Sequence, residues 1–143
     1  MIDASKPIQF CGFKIGNDHF AVDVLSVQEV IKPQKVTPVP KSQDFIKGLI
    51  NLRGQIVSVI SLSERLGLKV NPCDDYMNII IKDKDSLMAF EVDSIQDTFE
   101  VQQDHLDNVP ATLPAPLKDF VENVCEVNDQ LTMILDLERI TNF

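Results

Sequence analysis

Two histidines, three cysteines and two acidic pairs are the residues of this chain whose side chains could do chemistry, and their spacing limits what that chemistry can be. His19 and His105 each stand beside a turn or loop with no second His or Cys at metal-ligand spacing, so both read as solvated surface groups. Cys11, Cys73 and Cys125 are odd in number and far apart, which excludes a fully paired disulfide framework and any C-x-x-C zinc or redox motif. Cys11 and Cys125 fall in apolar strand-like runs, where a thiol acts as a small hydrophobe; Cys73 falls in a loop without a flanking base to form thiolate. Asp74-Asp75 and Asp83-Asp85 lack the glycine and the final glutamate of a calcium loop and read as loop solvation. The glycine-rich phosphate cradle, the dinucleotide fingerprint and the nucleophile elbow are all missing. No catalytic residue, metal or cofactor is therefore expected, and function should sit on surfaces, as in a binding module.

Composition narrows the partners. A formal charge of -9 repels phosphate backbones and anionic headgroups, so neither nucleic acid nor direct membrane contact is expected. With 6% aromatic residues and no Trp, a base-stacking platform is not expected either. Met1 to Gln9 has no charged segment leading into a long apolar stretch, and no run approaches a membrane span, which together with the cysteine usage points to a reducing, cytoplasmic setting.

The elements that must present such a surface read as short strands. Ile8 to Ile15, the Gly16-Asn17-Asp18 turn and the alternating Phe20, Val22 and Val24 form a hairpin. Its apolar phase moves from Ile8 and Phe10 to Cys11, Phe13 and Ile15, and Gly12 stands where a bulge could absorb a slip. Val24, Val27 and Ile31 also fit a helical spacing, but a bent strand is favoured. Pro33, Pro38 and Pro40 make 32–41 an extended connection with Val36 and Val39 facing inward. A short helical turn is expected next, capped by Ser42, carrying Phe45 and Ile46 and stopped by Gly48. Leu49–Leu52 and Gln55–Ile60 pair around Arg53-Gly54, and Ser61-Leu62-Ser63-Glu64 is a capping box for a helix ended by Gly67. Beyond a polar loop at 69–75, Tyr76–Lys82 and Leu87–Val92 form a second hairpin and Asp97–Val101 a further strand. A second proline-rich connection, 104–116, occupies a place comparable to the first. Val121–Val127 and Leu131–Ile134 pair around Asn128-Asp129, and Asp136 caps a C-terminal helix carrying Leu137 and Ile140. About ten short strands read as all-β. The expected architecture is two small five-stranded barrels meeting near 69–75. Because about 70 residues bury little alone, the barrels should share a core within one domain spanning the chain.

Three segments, taken in order, carry a family resemblance. They are Phe20-Ala21-Val22-Asp23-Val24-Leu25-Ser26-Val27-Gln28-Glu29-Val30-Ile31, then Thr37-Pro38-Val39-Pro40, then Phe45 through Asn51-Leu52-Arg53-Gly54 to Val57. Together they closely resemble the CheW family of chemotaxis coupling proteins. The resemblance implies two SH3-like five-stranded barrels about a common core. It also implies a non-catalytic adaptor that bridges the cytoplasmic tips of chemoreceptors and the regulatory domain of the histidine kinase CheA. Carried over by residue, it places Val24, Val27, Glu29, Asn51, Arg53, Met77 and Ile95 at a receptor groove, and Val36, Pro38, Ile46 and Gly48 at a kinase-facing edge. Arg53 is the central residue of this set, since a guanidinium makes bidentate bonds to carboxylates or helix-end carbonyls. The chain departs from the family pattern at Ser58, where Pro is usual, and at Ala89 and Asn123, where Gly is usual. A side chain in place of glycine can block the approach of a partner backbone in the second-barrel contacts that link couplers and kinases into rings. The same scaffold could serve a chemosensory pathway controlling pili or development. A small-ligand barrel is disfavoured because barrels of this size fill with side chains. With no receiver domain before the end at Phe143, a stand-alone coupler is expected.

Overall fold

The computed structural model describes residues 6–70 and 74–143. Its strands are β1 (Ile8–Ile15), β2 (Asp18–Asp23), β3 (Val27–Ile31), β4 (Ile46–Leu52), β5 (Gln55–Ser61), β6 (Met77–Asp83), β7 (Ser86–Val92), β8 (Ser94–Val101), β9 (Val121–Val127) and β10 (Gln130–Leu135). Two short helices, α1 (Leu62–Arg65) and α2 (Leu137–Thr141), follow β5 and β10, capped by the side chains of Ser61 and Asp136. The all-β reading and all four hairpins stand. Cys73 lies outside the described residues.

The strands form two five-stranded sheets, β8-β1-β2-β10-β9 (barrel I) and β3-β6-β7-β5-β4 (barrel II). In each, two antiparallel hairpins are joined by one parallel pairing, β2 with β10 and β5 with β7. The stretch 69–75 does not divide one barrel from the other, contrary to expectation. It separates two halves of like topology, each a hairpin, a strand, a proline-rich connection, a second hairpin and a helix. Each half places its first hairpin in one barrel and its other three strands in the other. The match extends to detail: Thr37 bridges Leu49 ahead of the second hairpin in the first half, as Asp107 bridges Val124 in the second.

Strand alternation feeds different cores from opposite faces. Phe13, Phe20 and Val22 of barrel I and Ile60, Ile79, Ile81 and Phe90 of barrel II meet in one shared core, which also takes in Leu62 and Ile140 of the helices and Leu66 just after α1. The other faces fill the barrels: Ile50, Leu52, Val57, Val59, Ile80 and Ala89 in barrel II, and Phe10, Ala21, Val101, Cys125 and Ile134 in barrel I. This arrangement accounts for the apolar phase change in β1. Ile8 and Phe10 face the interior of barrel I while Cys11, Phe13 and Ile15 face the shared core, so the alternation never slips. The register does break opposite Gly12, but the additional residue belongs to β8, where Cys11 pairs with Thr98 and Phe13 with Ile95.

Three local expectations are corrected. After β2 the chain makes a one-turn 3-10 helix, Val24–Ser26, with the Asp23 carboxylate accepting the Leu25 N–H, before β3 starts; the bent strand is a kinked one. No helix forms at 42–47: the Ser42 hydroxyl donates to the Val39 carbonyl, and Gly48 lies inside β4 at φ 144° in a bulge. Val39 is exposed, whereas Val36 packs on the barrel II core as expected. The capping box is half made. Ser61 Oγ accepts the Glu64 N–H, but the Ser61 N–H is taken by the Phe45 carbonyl, which leaves the Glu64 carboxylate free to bind Lys47.

Candidate functional site

The β4–β5 turn has both central residues at positive φ, Arg53 at 52° and Gly54 at 86°, the twist that suits a two-residue hairpin. Asn51 Oδ1 accepts the Gly54 N–H at 2.9 Å and braces it. Arg53 is therefore an L-residue held in a conformation that is uncommon outside glycine, and its side chain leaves the turn in a set direction. That direction leads to Glu29 on β3. Arg53 Nη1 donates to Oε2 at 2.7 Å and Nη2 to Oε1 at 2.5 Å. Since β3 and β4 are the two outer strands of their sheet, the pair clasps barrel II shut. Through these hydrogen bonds and its charge, Arg53 holds the Glu29 carboxyl below the usual range, and Glu29 raises Arg53 in return.

Asn51, Arg53 and Glu29 thus form one hydrogen-bonded unit, with the Arg53 guanidinium paired to Glu29 within the chain. Val27, Met77 and Ile95 come from three strands and share one environment: each is half-buried against the core common to the two barrels. Val24 sits on the 3-10 turn, half-buried. Its neighbour Leu25, not singled out from the sequence, is 89% exposed, more than any other large apolar residue described. Its signal was present, since it falls out of phase with the alternating Phe20, Val22 and Val24, but from sequence a displaced core leucine looks the same.

The second set also comes together, on β4. The Thr37 N–H donates to the Leu49 carbonyl at 2.8 Å and the Thr37 carbonyl accepts the Leu49 N–H at 2.9 Å, laying 36–38 along the outer edge of that strand. Ile46 and Val36 are half-buried and Pro38 is exposed, while Gly48 is buried. A Cβ at Gly48 would press into the Thr37 carbonyl oxygen and the Val36 side chain. Gly48 permits the crossing, and at Leu49 the β4 edge is occupied, so pairing of a partner strand there is closed off. Of the three departures from the family pattern, Ala89 is fully buried in the barrel II core, out of reach of a partner. Ser58 is half-exposed, and Asn123 Nδ2 donates to the Asp107 carbonyl.

Cys11 and Cys125 are buried and unpaired, and burial pushes both thiols up, which leaves them unreactive. Among the described residues no group of three or more His, Cys, Asp or Glu is arranged to hold a metal ion, and no helix is long and apolar enough to cross a membrane.

Two small barrels fused through a common core, with distinctive residues gathered on turns and outer strands, define a scaffold that works by presenting surfaces. Residues 9–143 match the family model for the CheW-like domain, and the chain belongs to the CheW family of chemotaxis coupling proteins. It is 31% identical to the chemotaxis protein CheW of Helicobacter pylori, covering 96% of this chain and 84% of that one. It is also 31% identical to the chemotaxis protein CheW of Thermotoga maritima, covering 98% and 91%. Protein PilI of Pseudomonas aeruginosa is 24% identical over 79% of this chain and 64% of its own length. In fold the chain matches the crystal structure of the scaffolding protein TtCheW from Thermoanaerobacter tengcongensis, with a TM-score of 0.87, 24% identity and coverage of 96% and 90%.

Proposed function

We propose that this coupling protein acts without catalysis in the cytoplasm, bridging the cytoplasmic tip of a chemoreceptor and the regulatory domain of a CheA-type histidine kinase. The observation that carries this reading is the Glu29–Arg53 clasp on a preset turn, which puts a charged, directional group beside a mixed apolar surface. A receptor tip is a hairpin of helices whose apolar ridge needs a groove and whose polar flank needs a fixed charge. Val24, Val27, Met77 and Ile95 line the groove in this reading, Leu25 projects from its rim, and the Asn51–Arg53–Glu29 unit orients the flank. Val36, Pro38 and Ile46 on the β4 side form the kinase contact, with Gly48 as its backbone support. The whole chain acts as one domain.

Co-sedimentation of the purified chain with receptor-tip fragments and a kinase regulatory domain tests this. Wild type should enter a ternary complex, and Arg53→Glu should lose receptor loading while still binding the kinase domain. Equal loading of wild type and Arg53→Glu would remove Arg53 from the receptor face. Binding to neither partner would overturn the bridging function.

A further inference from the structure

Asn78 on β6 is 1% exposed, and its Oδ1 accepts no hydrogen bond, alone among the buried side-chain polar atoms of the described residues. A buried carbonyl left without a donor costs about 1–3 kcal/mol. The β6–β7 register puts Asn78 directly opposite Glu91, and the β7–β5 register puts Glu91 opposite Ser61. Residues paired in this way project from the same face of the sheet, with their Cβ atoms about 5 Å apart. Along that face lie Ile80, Ala89 and Val59 of the barrel II core, so Ser61, Asn78 and Glu91 are the polar end of an otherwise apolar interior.

A cavity of about 290 Å³ opens beside this end, lined by Ser61 and Glu91 while Asn78 lies behind it. The titratable groups around it are Lys47 from β4, Glu64 from α1, Tyr76 ahead of β6, and Asp93 after β7. Three of these are already engaged: Lys47 Nζ lies 2.5 Å from Glu64 Oε1, and Asp93 Oδ2 accepts the Gly16 N–H at 2.7 Å. Burial pushes the Glu91 carboxyl above the ordinary range; Lys47 draws it down and Glu64 pushes it up again.

We propose that Glu91 is a proton-operated lock in barrel II: its protonated carboxyl donates to Asn78 Oδ1, tying β6 to β7 at the polar end, and loss of the proton opens the tie. In the locked state the orphan carbonyl has its donor and the carboxyl carries no charge into the interior. In the open state a carboxylate faces a carbonyl with no hydrogen between them. The folded chain holds a proton that the unfolded chain releases near the ordinary glutamate pKa, so the tie contributes below that value and is lost as pH rises through the higher folded value.

The test follows two readouts on the full chain. Carbon-13 NMR should show the Glu91 carboxyl titrating above the ordinary glutamate range with the Asn78 side-chain amide shifting in step, whereas titration of Glu122, which burial also raises, should leave that amide unmoved. Thermal unfolding should show wild type losing stability as pH rises from the ordinary glutamate range through the raised Glu91 value, whereas Glu91→Gln, which keeps a donor at every pH, should melt about 3 °C higher at the alkaline end and flatten that slope. Glu64→Gln frees Lys47 for Glu91 and should lower the titration midpoint. If Glu91 titrates with the ordinary glutamates, or if Glu91→Gln keeps the wild-type slope, there is no lock. Should Glu91→Gln not fold, the wild-type titration still decides. An Asn78 amide turned to offer Nδ2 to a charged Glu91 would show as a lowered midpoint and equally overturn the proposal.

Discussion

Arg53 can serve the clasp, the partner, or both, and charge decides between these. The Glu29 side chain is the more buried of the two, at 22% exposure against 69%, so Glu29 acts as the anchor and Arg53 keeps an outward surface and unused N–H donors. Arg53→Glu breaks the clasp and reverses the outward charge together, so on its own it cannot separate the two roles. Adding Glu29→Arg restores an opposite-sign pair with the outward charge still reversed. We expect the double variant to recover the wild-type melting temperature and to remain defective in receptor loading; recovery of both would make the clasp purely structural. Acid probes the same contact. With Glu29 held below the usual range, its contribution to stability is full above the ordinary glutamate pKa and disappears as pH falls through the lowered folded value.

Gly48 inside β4 and Gly54 in the turn after it show how differently one residue type works, and why some elements were legible in the sequence and others were not. Hairpins could be read because a pair such as Arg53-Gly54 or Asn128-Asp129 between alternating apolar runs has few other uses. The helical turn at 42–47 was misread because a serine, an apolar pair and a glycine are also what a helix start and stop look like. What sets Gly48 apart is a tertiary contact with Thr37, which nothing nearby in the sequence announces. Phe45 likewise serves neither a helix nor a barrel: its ring packs on the Arg65 guanidinium, which donates to the carbonyls of Arg139, Ile140 and Asn142. At the candidate site the charged turn was readable from its residue types, whereas Leu25 was not, because exposure is set by the 3-10 kink. The two glycines make a measurable contrast. Gly54 has open space where a Cβ would go, so Gly54→Ala pays only for backbone conformation, about 1 kcal/mol. Gly48→Ala must also displace the 36–38 segment, and should cost about 3 kcal/mol or more in urea unfolding while weakening kinase binding. Equal costs would mean that 36–38 is not held where the structure puts it.

At the scale of the whole molecule, the exchange of hairpins between halves determines how the chain must fold. Residues up to the 69–75 loop supply three strands of barrel II and two of barrel I, and residues beyond it supply the complement. Neither half can close a barrel alone, and the shared core draws Phe13 and Phe20 from one half and Ile79, Ile81 and Phe90 from the other. The two proline-rich connections were legible as a common rhythm because proline excludes helix and central strand wherever it falls. The exchange was not legible, since alternation says which residues are buried but not in which barrel. Two consequences follow. The intact chain should unfold in a single transition, with calorimetric and van't Hoff enthalpies in agreement, because no boundary leaves either barrel with a complete core. A chain cut between Val70 and Asp74 should behave as an obligate pair: each fragment alone should lack the near-ultraviolet signal and cooperative melt of a packed core, and equimolar mixing should restore both. Restoration should be concentration-dependent, since the cut makes closure of both barrels bimolecular. A fragment that melts cooperatively by itself would show that one barrel can form without its exchanged hairpin, and the view of the chain as two interlocked halves would then be wrong.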